Sequence, residues 1–77
     1  MLRHMGAFTA RGDDGRQYTV NVYVEFIRVG PLGESAEVEG VKHLRLPDGR
    51  PVRRVGPGRY EVPGAGLTLR SDAPDAP

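Results

Sequence analysis

The run from Gln17 to Val29, QYTVNVYVEFIRV, constrains this chain more than any other feature. One parity, Tyr18, Val20, Val22, Val24 and Phe26, is apolar without interruption. The other, Thr19, Asn21, Tyr23, Glu25 and Ile27, is mixed. Period-two alternation built from β-branched and aromatic residues is the signature of a half-buried strand. At about 3.3 Å per residue the run would span roughly 43 Å. A compact domain of this length is only about 30 Å across. The strand must therefore bend, coil or break in the middle, as strands do in small barrels and rolls where one strand serves two sheets.

Turn chemistry divides the rest of the chain into hairpins. Met5 to Ala10 runs into Arg11-Gly12-Asp13-Asp14-Gly15-Arg16, whose Asp-Gly leads to the long strand. Val41 to Leu46 places Leu44 and Leu46 on one side. Pro47-Asp48-Gly49 turns the chain and Pro51 to Val55 returns it. Gly56-Pro57-Gly58 precedes a short strand at Arg59 to Val62, and Pro63-Gly64-Ala65-Gly66 precedes the last, Leu67 to Arg70. The fold class expected is all-β: a small, strongly bent antiparallel sheet closing toward a five- to six-stranded roll or barrel. The predicted core is Phe8, Val20, Val22, Val24, Phe26, Leu44, Leu46, Val52, Tyr60, Val62, Leu67 and Leu69.

A single domain over residues 1–70 accounts for these elements. Gly30 to Gly40 reads as an acidic loop, since the only helical stretch in it, Glu34 to Glu39, is too short to stand alone. Residues 71–77, Ser-Asp-Ala-Pro-Asp-Ala-Pro, hold no apolar anchor and read as a disordered tail. No basic-then-apolar leader opens the sequence, and the expected location is cytoplasmic.

The stretches FTARGDDGRQYTVNVYVEFI, LRLPDGRPVRRVGPGRYEV and LTLRSDAPDAP resemble a family of small proteobacterial proteins of unknown function. The features that carry the resemblance are Asp48-Gly49, Val52, Gly58, Tyr60-Glu61 and the Asp-Ala-Pro-Asp-Ala-Pro end. It implies a free-standing domain, and it implies no activity.

Charge is segregated along the chain. Residues 1–41 carry four cations and six acids. Residues 42–60 carry six cations (Lys42, Arg45, Arg50, Arg53, Arg54 and Arg59) against Asp48 alone. The remainder carries Arg70 against three acids. Lys42, His43, Arg45, Arg53, Arg54 and Arg59 are thus the candidate contacts for an anion or an acidic partner. A guanidinium grips phosphate with two N–H groups, and small barrels bind single strands through basic faces. The competing account is a solvated surface whose arginines pair with nearby acids. Ten of the eleven cations are arginine, a bias that accompanies Gly-, Ala-, Pro- and Val-rich sequences in GC-rich genomes.

Tyr23 and Ile27, followed by Val29, are the candidate apolar contacts. They lie opposite the apolar parity, so they either meet a partner or turn inward where the strand bends. Arg11-Gly12-Asp13 spells the integrin tripeptide within a hairpin turn, and nothing else points to adhesion. Without cysteine, thiolate metal sites and disulfides are excluded. His4 and His43 stand far apart, and Ser35 and Ser71 have no base held against them. No cofactor, metal or catalytic residue is expected. The reading is a non-enzymatic binding module for a protein partner or a second copy (a homodimer). The alternative is nucleic acid on the arginine hairpin 42–59; no membrane partner is expected.

Overall fold

The computed structural model describes residues 2–30, 36–74 and 76–77. Six strands follow one another: β1 (Leu2–Gly12), β2 (Gln17–Val29), β3 (Ala36–Arg45), β4 (Pro51–Gly56), β5 (Arg59–Val62) and β6 (Leu67–Arg70). Each pairs antiparallel with its successor, and β6 returns to β1, so the sheet closes as a barrel in chain order. Among the described residues there is no helix, and hence none long and apolar enough to cross a membrane. The all-β small barrel expected from the alternation and the turns is the fold observed.

The closure is thin in two places. β1 meets β6 through Arg11↔Arg70 and Gly12↔Leu69. β3 meets β4 through Leu44↔Val52 and Arg45↔Pro51. Beyond those pairs, β1, β2 and β3 run on together as a three-stranded arm, which makes the molecule 52 × 26 × 19 Å. The long strand therefore resolves its excess length by leaving the barrel. It also changes register midway: its pairing with β3 shifts between Val24 and Phe26, and its pairing with β1 shifts at His4/Gly6.

The core holds Phe8, Ala10, Val20, Val24, Leu44, Leu46, Val52, Tyr60, Val62 and Leu69, each buried. Val22 and Leu67 are only half-buried, packed against its margin. Phe26 is half-buried because it lies on the arm, where Arg3 covers it with the guanidinium carbon 4.6 Å from the ring centre. Ala10 joins the core because it stands on β1 at the same parity as Phe8.

Two expectations are corrected. Residues 36–40 of the supposed acidic loop belong to β3, paired with β2 through Phe26↔Glu39, Ile27↔Val38, Arg28↔Glu37 and Val29↔Ala36. Glu37 accepts a 2.8 Å bond from Arg3, which ties three strands across the arm. Residues 31–35, where the rest of that loop falls, lie outside the described residues. The tail is not loose either. Ser71 donates its hydroxyl to the Thr9 carbonyl at 2.6 Å and its N–H to Gly58 at 2.9 Å, and Ala73 and Ala76 pack against the core.

The physical reason lies in Tyr60. Its ring has 0% exposure and sits 5.2 Å from that of Phe8. A buried phenol without a hydrogen-bond partner is costly, and here the hydroxyl donates to the Pro77 carbonyl at 2.5 Å. The tail thus satisfies the largest fully buried side chain. Gly58 makes room for it: its φ is +67°, and a Cβ there would lie 2.5 Å from the Ser71 carbonyl oxygen.

Candidate functional site

The candidates on β2 and β3 divide between two faces of the β1–β2–β3 sheet. Directly opposed residues share a face, so the register assigns each one. Tyr23 has His4 on one side and His43 on the other. Its ring lies 5.2 Å from that of His4 at 52°, and His4 Nε2 approaches the Asn21 side-chain oxygen at 3.1 Å. His43 Nε2 stands 3.7 Å from a Glu25 carboxylate oxygen. The two histidines, remote in sequence, therefore flank one tyrosine on the barrel's outer face. Their distance along the chain concealed this.

Farther along that face the surface becomes apolar. Ile27 is directly opposite Val38, and Val29 is opposite Ala36. Ile27, Val29 and Val38 are 45%, 46% and 43% exposed, and Val41 reaches 63%. Gly40 keeps the patch flat, because a Cβ there would meet the Ile27 Cδ1 at 3.2 Å. The opposite face of the arm is polar, carrying the Arg3–Glu37 ion pair over Phe26. Thus the second parity of β2 does not turn inward at Ile27 and Val29.

The cationic candidates do not form one face. Arg45 shares the outer face with Asn21, and His43 with Tyr23. Lys42 is opposite Val24, and Arg54 opposite Tyr60, so both follow the inward parity. They stand on either side of the gap where β3 and β4 separate. A hollow of about 310 Å³ opens there, with Leu44 and Val52 in its lining and Pro77 at its border. Burial raises the Tyr60 hydroxyl above its ordinary pKa near 10, and the Arg54 charge opposes that rise. Arg53 is tied to Glu61 by an ion pair, as the solvated-surface account expects for that residue. Glu25, in contrast, faces histidine rather than arginine.

Tyr60, the one aromatic of the basic hairpin, is in the core and offers no stacking platform. Arg59 lies elsewhere, opposite Arg70, whose other neighbour is Arg11. Neither Arg11 nor Arg70 stands out in the sequence, because one sits in a turn motif and the other in an acidic segment. Among the described residues no three His, Asp or Glu side chains gather as a metal site would require.

No protein-family model, curated protein or solved structure matches the chain.

Proposed function

We propose that this chain is a non-enzymatic protein-interaction module whose arm pairs with a second copy of itself. The observation that carries the reading is the exposed apolar face of the arm, Ile27, Val29, Val38 and Val41. Large apolar side chains gathered on one exposed face mark contact surfaces.

A second copy fits for two further reasons. From Ala36 to His43, β3 is laddered to β2 alone among the described residues, so its other edge is open to another strand. That edge is also self-complementary in charge, with Glu37 and Glu39 toward one end and Lys42 toward the other. A two-fold axis near Gly40 lays the acidic end of one strand against the basic end of its twin. Paired in this way, the two arms present their apolar faces as one surface.

Sedimentation velocity on the full chain, from low to high micromolar concentration, tests this. The expected result is a concentration-dependent dimer that Ile27→Asp converts to monomer without loss of the sheet signal in circular dichroism. A monomer at several hundred micromolar refutes the reading.

A further inference from the structure

At the opposite end of β1 from the arm, three arginines stand in one row across three strands. Arg70 on β6 has Arg11 of β1 as its partner on one side and Arg59 of β5 on the other. All three are exposed, and among the described residues no carboxylate lies within ion-pair distance of any of them. Like charges directly opposite one another weaken a sheet. Here the repulsion is incurred twice, once at the β1–β6 seam where the barrel closes and once in the adjoining β5–β6 pair. A hollow of about 660 Å³ adjoins the row, bordered also by Gln17, Ser71 and Asp72. That volume lies within the range of small-molecule sites, about 300–1,000 Å³.

We propose that Arg11, Arg70 and Arg59 form a binding site for a diphosphate group. Neighbouring strands lie about 4.8 Å apart, so three guanidinium groups extend over roughly 10 Å. A single phosphate engages one or two such forks, whereas two linked phosphoryl groups engage the whole row. Among the described residues no aromatic side chain lines the hollow, so recognition rests on the phosphoryl oxygens and not on a stacked base. Asp72 at the border is one acid against three arginines, and the lining keeps a positive balance. The site uses none of the arm residues, and it stands whether or not the chain dimerises.

Isothermal titration of the full chain at 50 mM salt with inorganic pyrophosphate, ADP, orthophosphate and a single-stranded twelve-nucleotide DNA provides the test. Pyrophosphate is expected to bind at least tenfold more tightly than orthophosphate. ADP within about threefold of pyrophosphate shows that the diphosphate alone is read; tighter ADP identifies a nucleoside diphosphate as its source. Arg70→Gln is expected to weaken pyrophosphate at least tenfold. Arg70→Lys, which keeps the charge and loses the fork, is expected to fall between the two, with circular dichroism confirming the barrel in both. Pyrophosphate binding that is absent, no tighter than orthophosphate, or insensitive to Arg70→Gln overturns the proposal. So does DNA that binds more tightly than pyrophosphate with a log–log salt slope near −2, the value for about three backbone phosphates on a single strand.

Discussion

Replacing Tyr60 by phenylalanine isolates one of the contacts that hold the tail to the barrel. The ring remains beside Phe8, and only the hydroxyl and its 2.5 Å bond to the Pro77 carbonyl are lost. Pro77 is half-buried and its main-chain oxygen also accepts the Gly58 N–H at 3.4 Å, so it is not left orphaned when the phenol is gone. The cost is therefore the net value of one hydrogen bond, about 0.5–1.5 kcal/mol, and not a full desolvation penalty. A domain of this size is stable by roughly 4–12 kcal/mol. Each kcal/mol moves the melting temperature by about 4–8 °C. Thermal melts at pH 7 should thus place the variant several degrees below the parent, with amide exchange accelerated at Ala73 and Ala76. Alkaline titration adds an independent check. Burial raises the Tyr60 pKa in the folded state, so the unfolded chain ionises first as pH climbs. The stability linked to that proton is complete below pH 10 and is lost as pH rises through the folded-state value. The parent should lose stability in that window more steeply than Tyr60→Phe. An unchanged melting temperature together with unchanged exchange in the tail would refute the latch.

Gly58→Ala should destabilise more than Tyr60→Phe, by about 1–3 kcal/mol, because it adds left-handed strain to a clash with the Ser71 carbonyl; urea denaturation measures it. Asp14 is held below its usual pKa of 3.8, first by the Tyr18 hydroxyl and then by the Arg16 N–H. Its stabilisation is present above pH 3.8 and disappears as pH falls, so Asp14→Asn should flatten the acid limb of a stability–pH curve. For the proposed dimer, Glu39→Lys and Lys42→Glu should each weaken association, and the double exchange should restore it in sedimentation. Arg53→Ala with Arg54→Ala should leave pyrophosphate affinity within about twofold, since neither residue borders the row on β5, β6 and β1.

How legible each part was in the sequence follows from the kind of interaction that fixes it. The long strand and the turns were legible because local patterns determine them: alternation over Gln17–Val29, and Asp48 bonding the Arg50 N–H at 3.0 Å within its own turn. The first half of β3 was not. Glu37, Glu39 and Gly40 favour a loop by composition, and they become strand only because the outer part of β2 offers an edge and Arg3 meets Glu37. The order of the tail is illegible in the sequence for a related reason. Its anchors are backbone and hydroxyl bonds plus two alanines, and none of these registers as apolar patterning. Among the site candidates, Tyr23 and Ile27 were visible as the odd parity of a strand. The arginine row was invisible, because only barrel closure brings Arg11 beside Arg70.

That closure also gives the row its mechanical meaning. Every other neighbouring pair in the barrel is a hairpin or a chain-adjacent connection, which closes at small entropic cost. The β1–β6 junction joins the two ends of the sheet and has only Arg11↔Arg70 and Gly12↔Leu69 to do so, extended by the Asp13 N–H on the Thr68 carbonyl at 2.9 Å. Gly12 has no space for a side chain, since a Cβ there would come within 2.8 Å of the Tyr18 ring and 3.2 Å of the Leu67 Cδ1. The junction is therefore close-fitting on its inner side and electrostatically repelled on its outer side. A dianion bridging Arg11 and Arg70 reverses the sign of that outer interaction where the barrel is joined most sparsely. By linkage, a ligand that binds only the closed barrel stabilises it in proportion to the logarithm of its saturation ratio. Occupancy of the row and integrity of the seam are then two readings of one equilibrium.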